Sequence, residues 1–208
     1  VAMRRQEQER PGRPQPRGLL GGQGLAWVRP GENEAQLRNV SFRVQPGQAI
    51  GVIGPSGSGK STLAKALTGA WRPAAGTVRL DGASIDQYAP DVLGRHIGYL
   101  PQRVQLFDGT IAQNIARLSQ EPDAGKVVAA TKKAAAHDMI VKLPDGYDTA
   151  VSSGGGRLSG GQMQRVALAR ALYDDPVFVI LDEPNSKLHN DRPLYPSDAA
   201  CEPDSVRH

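Results

Sequence analysis

Gly54-Pro55-Ser56-Gly57-Ser58-Gly59-Lys60-Ser61-Thr62 is the stretch that decides the reading of this chain. It satisfies the pattern G-x-x-x-x-G-K-[ST], and its flanks are those the pattern requires. The apolar run Ala49 to Ile53 precedes it, of the kind buried on both faces of a parallel sheet. Lys60 to Trp71 follows, with Leu63, Leu67 and Trp71 at helical spacing. Strand, glycine-rich turn and helix in that order make a loop for phosphate. The glycines let the backbone curl until successive N–H groups point at phosphate oxygens, and the helix N-terminus adds partial positive charge. Gly54, Pro55, Ser56, Gly57, Ser58, Gly59, Lys60, Ser61 and Thr62 are therefore the candidate nucleotide-binding residues. Lys60 is expected to bridge the β- and γ-phosphates of ATP, and the Ser61 hydroxyl to ligate Mg²⁺.

A second element answers the first. Val177-Phe178-Val179-Ile180-Leu181-Asp182-Glu183 is an apolar strand ending in two carboxylates. A buried strand delivers them to the C-terminal edge of a sheet, where open α/β folds place ligands. Alone, such a pair is an ordinary loop start. Beside a phosphate loop, Asp182 is expected to hold Mg²⁺ through its water shell and Glu183 to polarise the attacking water.

The rest of the composition sets bounds. The 208 residues, 39% hydrophobic, suit one domain with a real core. The net charge of +4 is concentrated in Arg4, Arg5, Arg10, Arg13 and Arg17, against only Glu7 and Glu9. Without interleaved aromatics this basic stretch reads as a solvated linker, and no nucleic-acid partner is expected. Cys201 stands alone, so no internal disulfide forms and a reducing compartment fits. The longest strongly apolar run, Val177 to Leu181, is far short of the roughly 20 residues that span a bilayer, and no signal peptide opens the chain. Membrane association is expected through a partner.

Along the chain, residues 1 to 23 read as a disordered, Pro-rich linker. Short strands follow from Gly24 to Gly47, where Val40, Phe42 and Val44 alternate with Ser41, Arg43 and Gln45. Further strands are expected at Val78 to Leu80, before the Asp81-Gly82 turn, and within His96 to Leu100. Thr110 to Leu143 has helical period throughout, with Ile111, Ile115 and Leu118 on one face and Val128, Ala135 and Met139 on another. Met163, Val166, Ala169 and Tyr173 mark one more helix, closed by Asp174-Asp175-Pro176. Residues 189 to 208 read as a polar, disordered tail.

Leu158-Ser159-Gly160-Gly161-Gln162 makes the pattern recognisable, because it resembles the signature motif of ABC transporter ATPases. Tyr99-Leu100-Pro101-Gln102 resembles the family's Q-loop, and all these motifs stand in family order. The resemblance covers residues 24 to 188. It implies an α/β fold: a P-loop NTPase (RecA-like) core, an antiparallel β lobe, and an α-helical lobe at about residues 103–165. It also implies two cassettes stacked head to tail around ATP, with Leu158, Ser159, Gly160, Gly161 and Gln162 meeting the nucleotide on the opposite protomer. Gln102 then joins Glu183 in catalysis and Ser61 and Asp182 at the metal, and Trp27 is the best candidate to stack on adenine, core packing being the other reading of a lone Trp. Leu106-Phe107-Asp108-Gly109-Thr110-Ile111 and Asn114-Ile115-Ala116 are similar to the exporter class, where this region meets the transmembrane partner. Gly98 to Gln102, Leu143 to Thr149 and Asp182 to Ser186 are similar to ATPases of type I protein secretion. The implied place is the cytoplasmic face of the inner membrane.

Three features depart from the family pattern. Ser152 and Ser153 stand where exporters carry a glutamate before the signature. Leu188 is followed by His189 rather than an aspartate. No apolar strand leads to a switch histidine, and His208 is not assigned that role, so a truncated or frameshifted end is the expectation. Two rival readings share the motifs: a nucleotide-binding module without significant hydrolysis, and a soluble ABC ATPase of DNA repair or translation. Repair members insert a long coiled coil between Gln102 and the signature, and the gap here is short.

Overall fold

The computed structural model describes residues 18–28, 35–153 and 158–182. The expected linker up to residue 17, Glu183, and the tail from residue 189 lie outside the described residues.

Two long strands, β1 (Leu20–Val28) and β2 (Ala35–Val44), pair antiparallel, and β3 (Ala75–Leu80) pairs with the other edge of β1. With β4 (Ala83–Ser84) the sheet order is β2-β1-β3-β4. Residues in register share a face, so Leu20, Val44 and Leu80 line up on the buried side. Arg43 and Arg79 flank Gly21 on the other. The linker assigned to residues 1 to 23 therefore overruns the sheet: Leu20 to Gln23 are strand, because two apolar partners sit opposite Leu20. Gly22 is part of the same packing, since a Cβ there would meet Phe42 Cε1 at 2.5 Å.

Helix α1 (Lys60–Leu67) buries Leu63, Ala64 and Leu67 against this sheet, with Trp27, Leu37, Val78, Ile85 and Leu93 in the same core. Trp71 lies beyond the helix, which ends at Leu67, so the helical spacing extended to it is one contact too long.

A short helix, α2 (Pro90–His96), leads into β5 (Ile97–Leu100). Strands β6 (Gly109–Thr110) and β7 (Ala150–Val151) pair antiparallel and bracket most of the helical lobe. Within it run α3 (Ile111–Ile115), α4 (Ala124–Lys133) and α5 (His137–Val141). The expected continuous helical period is thus broken twice. Pro122 removes a helix donor just before Asp123, whose side chain caps α4 by accepting from Lys126 N at 3.0 Å. Ala135, with φ 50°, ends that helix. The phase shifts at each break, and Val127, Ala130, Thr131 and Ala134 are buried rather than Val128, Ala135 and Met139.

Helix α6 (Gly160–Leu172) closes the lobe and feeds β8 (Phe178–Leu181). The lobe core continues along α6 through Val166, Ala167, Ala169 and Ala171, past the boundary placed at residue 165. β8 runs parallel to β5, with Tyr99 beside Ile180 and Leu100 beside Leu181. This pair separates the two cores. Ile97, Tyr99 and Ile180 face the β lobe, while Leu100 and Leu181 face the helical lobe. Gly98 lets α6 come close, since a Cβ there would collide with Ala171 O.

The run Ala49 to Ile53 is the main departure. It forms no strand among the described residues, and Ile50, Val52 and Ile53 are 50%, 53% and 96% exposed. An apolar run becomes a buried strand only if neighbours hydrogen-bond to its edges, and the described parallel sheet consists of β5 and β8 alone.

Candidate nucleotide site

The phosphate loop is built from the local preferences of its glycines. Gly57 and Gly59 have φ of 82° and 91°, which L side chains rarely adopt. A Cβ on Gly59 would also lie 2.9 Å from Gln36 O, so β2 presses directly on the turn. Gly59 caps α1, and Leu63 N donates to Gly59 O at 2.8 Å to start the helix. Thr62 Oγ1 donates to Gln36 Oε1 at 3.0 Å, tying the first turn of α1 to the β lobe.

Lys60 folds back over the loop. Its Nζ donates to Gly54 O at 2.8 Å and Pro55 O at 2.9 Å. A triphosphate would exchange these two neutral acceptors for charged ones, which make the stronger bonds.

The strand edge meets the loop at one point. Ser61 Oγ donates to Asp182 Oδ1 at 3.1 Å. Asp182 is 7% exposed, and its backbone N–H donates to Leu100 O at 2.9 Å, extending the β5–β8 ladder by one bond. Tyr99 stands beside Ile180 in the parallel pair, near Asp182. Burial, then the charge of nearby Asp182, push the Tyr99 phenol up to about 12. A hydroxyl and a carboxylate this close are hard oxygen donors, the set that suits Mg²⁺. Gln102 lies two residues past the end of β5 and is exposed. Glu183, expected to be catalytic, lies outside the described residues.

A family model described as ABC transporter matches residues 37–186. The chain belongs to the ABC transporter family. It is 54% identical over 175 residues to the type I secretion system ATP-binding protein PrsD of Rhizobium meliloti (strain 1021), covering 84% of this chain and 30% of that protein. An ATP-dependent lipid A-core flippase of Saccharophagus degradans (strain 2-40) is 43% identical over 155 residues, 74% of this chain and 26% of the flippase. The solved structure of a bacterial Atm1-family ABC exporter with ATP bound matches with TM-score 0.75 and 37% identity, over 83% of this chain and 30% of that one. The chain thus spans about 30% of the length of the relatives it matches. Its fold is that of an ABC exporter's nucleotide-binding domain, as the motifs implied.

In this ABC cassette the signature opens α6. Ser159 accepts from Gln162 N at 3.2 Å and its own N–H donates to Gln162 Oε1 at 2.8 Å, a reciprocal cap that leaves Gly160 and Gly161 in the first turn. Leu158 anchors the motif in the helical-lobe core, apart from the β-lobe core that carries α1. The signature and the phosphate loop are therefore held by different lobes.

Trp27 does not stand where adenine stacking needs it. It is 6% exposed, in register with Leu37 on the buried side of the sheet, and its ring stacks on Trp71 at 4.7 Å between centroids. Lys65 Nζ lies 4.4 Å from the Trp71 ring. One face of Trp27 is already covered, so we correct the adenine role to a core role.

The exporter-like segment is a folded loop around Asn114, which is 0% exposed. Its side chain accepts from Phe107 N at 2.8 Å and donates to Phe107 O at 2.8 Å and Thr110 O at 3.0 Å. Thr110 and Gln113 cap α3 reciprocally, and Asp108 accepts from Ser153 N at 2.9 Å. The result holds Phe107 48% exposed, with the Arg170 guanidinium 5.4 Å from its ring. Sequence reading overlooked Tyr99, Gln36 and Asn114 as site-shaping residues. The signal for Tyr99 was a polar-tipped aromatic three positions before Gln102 in an otherwise apolar strand.

Proposed function

We propose that this chain is the ATP-binding part of an exporter of the type I protein-secretion class, working at the cytoplasmic face of the inner membrane. The Ser61–Asp182 contact carries the nucleotide reading, because it joins the phosphate loop to the acid-tipped strand at one point. The secretion class rests on the 54% identity to PrsD. Members of the ABC family are ATPases, and the residues follow that chemistry. Gly54 to Thr62 wrap the phosphates, Lys60 leaves its carbonyls for the β- and γ-oxygens, and Ser61 and Asp182 hold Mg²⁺. The metal ion, when bound, neutralises phosphate charge. Gln102 and Glu183 orient the attacking water, while Ser159, Gly160 and Gly161 meet the nucleotide of a second cassette. Phe107, presented by the Asn114 loop, docks on the transmembrane part.

A module that binds ATP with little turnover is the second reading. Exposure of Ile50, Val52 and Ile53 just before Gly54 favours it, since the loop's entry is unanchored among the described residues. Positioning groups govern phosphoryl transfer more than they govern binding.

One assay pair tests both. Lys60→Ala should weaken binding of a fluorescent ATP analogue on the order of a hundred-fold, as loss of a charge-assisted contact predicts. Unchanged affinity would sink the site. Phosphate release near one turnover per second, abolished by Glu183→Gln, would favour the working ATPase over the second reading.

A further inference from the structure

We propose that the outer face of the β lobe is a docking trough for an extended acidic peptide, which lies over Gly21 with a carboxylate between Arg43 and Arg79. The trough stands apart from the nucleotide site. In the sheet β1 runs between β2 and β3, and Gly21 is in register with Arg43 on one side and Arg79 on the other. Neighbouring strands lie about 4.8 Å apart, so the two arginine backbones stand about 10 Å apart with no side chain between them. They wall a groove of about 550 Å³.

The fold does not demand the glycine. A Cβ on Gly21 would meet only Phe42 O, at 3.7 Å, an ordinary contact, and its φ lies outside the left-handed region. A glycine inside a strand weakens it, and where packing does not call for one it marks a place where another backbone comes close. The lining then sets the sign of the partner, since it holds two arginines and no acid. Arg43 is exposed and has no ion pair among the described residues. Arg79 donates from Nη1 to Gly82 O at 3.0 Å, which leaves the rest of its guanidinium to a ligand. Ser41 Oγ accepts from Gly24 N at 2.9 Å, so its proton is left to donate. Asp81, next to Gly82 in the chain, already accepts from Gly18 N and Leu19 N at 3.2 and 2.9 Å, and Asp86 accepts from the Ser84 hydroxyl. Sequence adds to the positive charge, because Arg17 stands two residues before Leu19, which lines the groove. A membrane plane would rest on the arginine tips and leave the floor empty. A single extended chain fits a floor one residue wide.

The test uses the 208-residue chain without nucleotide and a fluorescein-labelled peptide of alternating Glu and Ser, which puts its acids on one side when extended. Anisotropy at low salt should show binding, and the matching Gln and Ser peptide should not bind. Arg43→Ala and Arg79→Ala should each weaken binding about five-fold, the upper range for an exposed ion pair. Lys132→Ala, the same charge change on α4, should alter it by less than about two-fold, as a distant screened charge does. Gly21→Ile should lose the peptide while its urea midpoint holds or rises, because isoleucine is the better strand former. A blocked trough is thereby told from a damaged fold. A parent that binds both peptides alike, an Arg43→Ala loss no larger than that of Lys132→Ala, or a Gly21→Ile variant that binds like the parent would each overturn the proposal. So would phosphatidylserine vesicles that bind parent and Gly21→Ile equally while the peptide does not bind, which would assign the face to a membrane. Lys60→Ala should leave the peptide curve unchanged, so this proposal and the nucleotide reading fail separately.

Discussion

Asn114→Ala should destabilise the helical lobe by about 2 to 3 kcal/mol. The side chain is fully buried and makes three hydrogen bonds, to Phe107 N, Phe107 O and Thr110 O. Each is worth about 1 kcal/mol net, and their loss strands polar groups of the loop, which together gives about 3 to 4 kcal/mol. Alanine is the better helix former by about 0.6 kcal/mol, and Asn114 lies inside α3, so part of the loss is returned. Urea unfolding followed by far-UV circular dichroism reads the difference. Asn114→Asp sharpens the argument, because it keeps the shape and the acceptor for Phe107 N–H but loses both donations and buries a charge. It should cost at least as much as alanine. A change below about 0.5 kcal/mol for either variant, the level of an ordinary surface substitution, would refute the idea that Asn114 holds the exposed Phe107 in place.

Alkaline pH should weaken the fold through Tyr99. The folded state keeps its proton to about 12 while an unfolded tyrosine loses it near 10, so the stabilisation is complete below about pH 10 and is lost as pH rises through 12. Denaturation midpoints between those pH values should fall less steeply for Tyr99→Phe, and parallel curves would contradict the assignment. Ile53→Ala should change stability by no more than about 0.5 kcal/mol, because the side chain is 96% exposed, and a cost of about 2 to 5 kcal/mol would show a buried strand instead.

What could be read from sequence was whatever the chain fixes locally. The phosphate loop is contiguous, and its glycines, Lys60 and Ser61 declare the backbone shape and the chemistry together. The strand before Asp182 was legible for the same reason, as a short apolar run with acids at its end. Tyr99 was not, because its role depends on the β5–β8 register, which brings together residues from distant parts of the chain. Trp27 misled because a single aromatic ahead of a phosphate loop serves equally as a stacking surface or as a core side chain. Its strand register against Leu37 decides for the core. The helical phase in Thr110 to Leu143 slipped because one period was carried across Pro122 and Ala135, where the chain restarts.

The exposed run before Gly54 bears on how the two halves of the site differ. On the exit side, the loop is fixed three ways: Gly59 against Gln36 O, Thr62 on Gln36, and Ser61 on Asp182. On the entry side, Ala49 to Ile53 has no ladder among the described residues; Lys60 Nζ bonds the carbonyls of Gly54 and Pro55, and Ser58 N–H also donates to Pro55 O at 3.2 Å. A nucleotide that draws Lys60 away leaves only the local Ser58–Pro55 turn bond on that side, while the helix N-terminus and Ser61 stay in place. Binding draws on the fixed half. Turnover needs both halves rigid, since transfer of the γ-phosphoryl group depends on positioning to within fractions of an ångström. Whatever strand neighbours the run Ala49 to Ile53 should raise the rate far more than the affinity, and that asymmetry separates a loop anchored in a sheet from one held by Lys60 and a local turn.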